Sequence, residues 1–96
     1  MKIKILIPIY NDWRSVFELL KQIDTQISDI SDEISILIVN DGSNEEKENI
    51  PEFKYIKSIK VLNMKRNQGH ARCNAMGLKY LYENDEFDYV IPMDGD

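Results

Sequence analysis

Two stretches of this chain, Ile3 to Ile9 and Ile34 to Val39, are apolar almost without a break and rich in β-branched residues. A half-exposed strand alternates apolar with polar side chains, so runs like these fit strands covered on both faces, as in a parallel sheet held between helices. Further strand-like runs stand at Ile59 to Leu62 and Phe87 to Met93, bounded by turn-formers. Between the first two strands, Trp13, Val16, Phe17, Leu20, Ile23 and Ile27 recur every three or four residues and so share one stripe of a helix. Asn11 or Asp12 is its expected N-cap. A second helical pattern runs from about Gly69 to Asn84, with Ala71, Ala75, Leu78, Leu81 and Tyr82 as its expected buried side. Gly77 costs that helix about 1 kcal/mol relative to alanine, unless close packing against a strand requires it.

The order β-α-β-(α)-β-α-β predicts an α/β fold, a Rossmann-like open parallel sheet of about four strands with flanking helices. The optional middle helix would occupy Asn44 to Asn49, ahead of Pro51. Residues 1–96 are expected to form a single domain. Pro92 bends a local rule, because proline removes a ladder donor; either that strand edge is unpaired or pairing ends before it.

A chain of 96 residues buries only about 60 to 65 per cent of its unfolded surface, so the core is small. With 12 Lys and Arg against 17 Asp and Glu, the net charge is −5. That balance argues against a nucleic acid partner, whose phosphates call for clustered basic residues. The lone Cys73 has no second thiol for a disulfide or a metal knuckle and reads as a helix-packing residue. The apolar stretch behind Lys2 and Lys4 is too short for the central region of a signal peptide. No run approaches the roughly 20 residues of a membrane span, and a cytoplasmic location is expected.

Polar clusters end the apolar runs: Pro8-Ile9-Tyr10-Asn11, Val39-Asn40-Asp41-Gly42-Ser43 and Asp94-Gly95-Asp96. In an open parallel sheet such clusters meet at one edge, where ligands bind. Asp94 and Asp96 on extended backbone would point the same way, with Gly95 leaving room for a ligand. Two convergent carboxylates suit Mg²⁺ or Mn²⁺ completed by substrate phosphates, although Asp-Gly-Asp is also ordinary turn composition. Asp41 could accept hydrogen bonds from the imide or amide of a base, or make, with Ser43, an Asx-turn or helix cap over the residues that follow. Tyr10 could stack on a base, but packing at the sheet edge is the plainer expectation. Asn67-Gln68-Gly69-His70-Ala71-Arg72 opens the second helix, whose free amides would favour phosphate, with His70 or Arg72 adding charge. For His70 alone a structural hydrogen bond is expected. The chain has no Walker-type Gly-x-x-x-x-Gly-Lys, no Gly-x-Gly-x-x-Gly after the first strand and no Ser-His-Asp order.

Together these clusters resemble the amino-terminal half of a family 2 glycosyltransferase with the GT-A fold. The resemblance rests on Pro8-x-Tyr10-Asn11, Val39-x-Asp41-Gly42-Ser43, Asn67-x-Gly69-His70 with Ala75-x-Gly77-Leu78, and Asp94-x-Asp96, and covers essentially the whole chain. The spacing is most similar to the polyprenyl-phosphate sugar transferases. It implies that Pro8, Tyr10, Val39 and Asp41 surround the base and ribose of a UDP- or GDP-sugar, with Asp12 helping. Gly69, His70, Asp94 and Gly95 would complete the donor site, and Asp94 and Asp96 would hold Mg²⁺ or Mn²⁺. Asn40 stands where the family often has aspartate, and Asp12 is a methylene shorter than the glutamate common in the polyprenyl branch. The resemblance further implies that the acceptor site and general base lie beyond residue 96, that the acceptor is a polyprenyl phosphate or saccharide, and that the whole enzyme associates with a membrane. An uncovered sheet edge beside the Asp94 strand would favour self-association. The alternative is a noncatalytic nucleotide- or metal-binding regulatory α/β module, for which Asn11-Asp12 and Asn63 are poor matches. A purely structural domain is the third reading.

Overall fold

A computed structural model describes residues 1–42 and 49–94 of the chain. The short helix expected at Asn44 to Asn49 lies outside the described residues except for Asn49, as do Ser43, Gly95 and Asp96. The elements follow in the order β1 (Lys2–Ile9), α1 (Trp13–Gln26), β2 (Glu33–Asn40), β3 (Ser58–Asn63), α2 (His70–Asn84) and β4 (Tyr89–Pro92). They form one parallel four-stranded sheet in the order β3-β2-β1-β4.

The unbroken apolar runs are explained by two cores, one on each face. Register pairs Ile5 with Ile36 and Ile7 with Ile38, and these odd β1 and even β2 positions pack under Trp13, Val16, Phe17, Leu20 and Ile23 of α1. The intervening Leu6, Leu37 and Val39 face the other way, onto Cys73 and Leu81 of α2. Ile27 lies just past α1 and is still buried, so the whole expected stripe reaches the core.

The expected buried side of α2 is corrected. Only Leu81 of that set is buried, together with Cys73 and Gly77, while Ala71, Ala75, Leu78 and Tyr82 face outward. Close approach decides this. A Cβ added at Gly77 would stand 2.5 Å from Leu6 Cδ1 and 3.0 Å from Val39 Cγ2, so the helix lies on the sheet along its narrowest stripe. Pro92 does not end the β1–β4 pairing either. It pairs with Leu6, and the amide it lacks is replaced by that of Met93, which donates to the Leu6 carbonyl at 2.9 Å.

Two carboxylates fasten the periphery. Asp24 of α1 accepts hydrogen bonds from the amides of Lys54, Tyr55 and Ile56 at 3.2, 2.8 and 2.9 Å, pinning the β2–β3 connection to the helix. Partial burial works against its charge, but the amides of Ile56, Tyr55 and Lys54 together hold its pKa below the ordinary value. Asp85, just past α2, accepts a hydrogen bond from Lys60 Nζ at 2.9 Å and lies 3.4 Å from Lys4 Nζ, too far for a good hydrogen bond but close enough for charge attraction. The Lys60 bond chiefly, and the Lys4 charge after it, hold the Asp85 carboxyl below its ordinary 3.8 against the cost of desolvation.

A depressed carboxyl pKa gives stability that is complete above the unfolded value and is lost as pH falls through the folded one. Asp85→Asn is therefore expected to destabilise the chain at neutral pH, with the difference from wild type shrinking below pH 3.8. Urea titrations at neutral and acid pH check this; an equal loss at both would rule out the charge as the cause.

Candidate functional site

Because all the strands are parallel, the segments after β1, β2 and β4 open at the same end of the sheet. The chain leaves β1 for β2 on one side and enters β4 on the other, so β1 and β4 flank the point where strand order reverses, the usual place for a ligand crevice. Asn11 turns out of β1 at φ 51°, a left-handed conformation that asparagine tolerates better than most residues. Tyr10 beside it is 41% exposed and does not plug the sheet edge as packing considerations suggested. Asp12 occupies the N-cap of α1, yet its side chain makes no capping bond. Pro8 and Val39 are register partners, both buried beneath this edge.

Asp41 is the centre of the arrangement. It is only 1% exposed, and its Oδ1 and Oδ2 accept hydrogen bonds from the amides of Gln68 at 2.6 Å and Gly69 at 3.0 Å. The carboxylate thus caps the start of α2, far along the chain, rather than the residues that follow it. Its own amide donates to the Ile9 carbonyl at 2.8 Å, so one residue ties the ends of β1 and β2 to α2. Gly42 makes the approach feasible: at φ 70° its added Cβ would stand 2.6 Å from the backbone of Arg66 and Asn67. Cys73 completes the buried group. Burial first, and the neighbouring Asp41 carboxylate second, push its thiol up to about 12, so it stays protonated and inert.

Gly69 adopts φ 89° ahead of α2, and an added Cβ there would meet nothing within 4 Å, so backbone conformation rather than space calls for glycine. His70, the first residue of α2, is exposed at the same end of the sheet. Asp94 is exposed, two residues beyond Pro92, the last residue of β4 and the register partner of Leu6. Pro8, Tyr10, Asp12, Val39, Asp41, Gly69, His70 and Asp94 therefore gather at one end of the sheet, whereas Gly95 and Asp96 lie outside the described residues. Among the described residues no group of three or more His, Cys, Asp or Glu could enclose a metal.

Sequence reasoning missed the role of Asn63. At the end of β3, its Oδ1 accepts a hydrogen bond from Asn40 Nδ2 at 3.0 Å, extending the polar edge by one strand. The signal was present in the equal positions of the two asparagines at the ends of neighbouring strands, but only the register reveals it. A cleft of about 580 Å³ opens at the opposite, amino end, lined by Met1, Lys2, Ser31, Glu33, Glu86, Phe87 and Asp88; it holds none of these groups. No helix among the described residues is long and apolar enough to cross a membrane.

Comparison with known proteins agrees with this geometry. The chain is 29% identical over 98 residues to an uncharacterised glycosyltransferase of Synechocystis, covering 100% of this chain and 30% of that protein. It is 29% identical over 97 residues to undecaprenyl-phosphate 4-deoxy-4-formamido-L-arabinose transferase of Pseudomonas fluorescens, covering 98% of this chain and 27% of that protein. An uncharacterised protein of Methanocaldococcus jannaschii is 24% identical over 95 residues, covering 95% of this chain and 38% of its own length. The chain thus spans less than two fifths of each relative. The family model described as glycosyl transferase family 2 matches residues 4–96, and the chain belongs to that family.

Proposed function

We propose that this chain is the donor-binding part of a sugar transferase that uses a UDP- or GDP-linked sugar together with Mg²⁺ or Mn²⁺. One observation carries the reading: the segments after β1, β2 and β4 share one end of the sheet, with β1 and β4 adjacent at the reversal of strand order. Tyr10 offers an exposed ring for stacking on a base, above the buried pair Pro8 and Val39, with Asp12 beside the ribose. A carboxylate has about four acceptor positions. Asp41 uses one on each oxygen for Gln68 and Gly69, and a remaining one would accept from the base once the ligand uncovers it. Gly69 and His70 lie where the amides at the start of α2 favour a diphosphate.

Asp94 and Asp96, with Gly95 between them, would hold the cation. Their oxygen donors suit a hard ion that keeps few protein ligands and takes the rest from phosphate. Such an ion supplies neutralisation of the charge that grows on the leaving nucleoside diphosphate. For the whole protein, the name of the Pseudomonas relative supports a polyprenyl phosphate as acceptor; a general base for the displacement and association with a membrane would belong to further parts of the protein.

Calorimetric titration with UDP- and GDP-sugars, with and without Mn²⁺, tests the reading. Saturable binding of one nucleotide is expected, about tenfold tighter with metal, a gain of about 1.4 kcal/mol. Asp96→Asn should abolish the gain and leave metal-free binding intact, whereas Asp41→Ala should weaken binding in both conditions. Absence of binding by a chain shown to be folded would overturn the proposal.

A further inference from the structure

The protein already engages the Asp41 carboxylate in a way that limits what else it can hold. Gln68 and Gly69 are consecutive residues, and each points its amide at a different oxygen, at 2.6 Å to Oδ1 and 3.0 Å to Oδ2. Two neighbouring N–H groups, one on each oxygen, fill the side of a carboxylate that receives a two-pronged donor such as a guanidinium. Of its roughly four acceptor positions, the remaining ones lie on the outer flank of each oxygen and point apart. The protonated Cys73 thiol is buried beside the same carboxylate, and Asp41 is only 1% exposed. A ligand can therefore meet Asp41 with one donor, not with an adjacent pair.

On the donor-site reading given above, which left UDP and GDP open, we infer that the site takes a base of the uracil type, with a single imide N–H between two carbonyls, and rejects guanine. Guanine offers its ring N–H and its amino group side by side, an edge that a carboxylate receives through both oxygens together. That side of Asp41 is occupied by the start of α2. If the ring N–H alone reached an outer position, the amino group would leave water with no acceptor at Asp41, and sites discriminate sharply against such unpaired groups. Adenine and cytosine turn a ring-nitrogen lone pair towards the carboxylate and are repelled.

The start of α2 has little slack with which to make room. A Cβ added at Gly42 would stand 2.6 Å from the backbone of Arg66 and Asn67, so the chain leading to Gln68 already rests on the end of β2. Moving it away would also leave the Gln68 and Gly69 amides without their acceptor.

Calorimetric titration of the chain with UDP, dTDP, GDP, inosine diphosphate and UDP methylated on its imide nitrogen, all in Mn²⁺, tests the inference. UDP is expected to bind at least about tenfold tighter than GDP. Inosine diphosphate, which is GDP without the amino group, should bind about threefold or more tighter than GDP, and methylated UDP about tenfold or more weaker than UDP. dTDP carries the same imide; binding equal to that of UDP, or weaker through loss of the ribose 2′-hydroxyl, separates the two sources and supports the inference either way. GDP bound as tightly as UDP overturns it while the donor-site reading stands. Inosine diphosphate no better than GDP also overturns it, since ring size rather than a missing acceptor would then exclude guanine, as does methylated UDP that binds like UDP. If a folded chain binds none of these nucleotides, the donor-site reading itself falls and takes the inference with it.

Discussion

Asp41→Ala is expected to cost the fold about 1–3 kcal/mol, because the substitution leaves two partly buried amides without their charged acceptor. Those amides belong to Gln68 and Gly69, and the carboxylate that serves them is 1% exposed, so water does not readily replace it. Asp41→Asn keeps one acceptor oxygen and should recover about half of the loss, since a neutral acceptor gives a weaker bond than a carboxylate. Urea denaturation of the three proteins measures the series. If alanine and wild type unfold at the same urea concentration, the carboxylate does not hold the start of α2. The comparison also separates two effects in nucleotide titrations: Asp41→Asn, if folded and still weak for nucleotide, would assign the loss to base contact rather than to collapse of the site.

The second large effect is expected at Gly77. Alanine there gains about 1 kcal/mol of helix propensity, but its Cβ falls 2.5 Å from Leu6 Cδ1 and 3.0 Å from Val39 Cγ2. Both neighbours are 0% exposed, with no open side into which to turn. The net result should be a loss of about 1–2 kcal/mol for Gly77→Ala and of more than about 3 kcal/mol for Gly77→Val, whose extra methyl groups enter the same space. Against a total stability on the order of 5–10 kcal/mol for a domain of this size, the valine variant would lose much of its cooperative folding. Leu6→Ala alone costs about 3 kcal/mol through the cavity it leaves. Combined with Gly77→Ala, the two changes should be less costly than their sum, because each occupies or vacates the same volume. Simple additivity in thermal or urea unfolding would show that helix and sheet do not meet at this point.

These two sites mark the limits of what the sequence made legible. The stripe from Trp13 to Ile27 has one apolar solution, so α1 and its buried face followed directly. The continuous runs in β1 and β2 likewise led to a parallel sheet with helices on both faces. In α2 two stripes compete: Ala71, Ala75, Leu78 and Tyr82 are the more apolar, while Cys73 and Gly77 are the smaller. Depth of packing, which depends on Leu6 and Val39 of other elements, favours the smaller set. The gathering of polar clusters at one sheet end was legible because strand ends carry them. The burial of Asp41 was not, since its hydrogen-bond donors lie 27 and 28 residues away and nothing local announces them. The Asn40–Asn63 bond escaped for the same reason: register across β2 and β3 is a property of the assembled sheet.

The strand order β3-β2-β1-β4 also sets a timetable for synthesis. β1 is made before β2 and β3, yet one of its two neighbours, β4, is made only after both, and the Lys2 amide reaches a partner as distant as Asp88. Until that segment emerges, β1 can pair only with β2, and its other edge stays open to any strand nearby. At ordinary translation rates of about 5–20 residues per second, the exposure lasts seconds. Long-range closure of this kind is slow to form and prone to aggregation in the interval. The nascent chain is therefore the form of this protein most in need of a chaperone, and a stalled product ending before Tyr89 would be the one to aggregate.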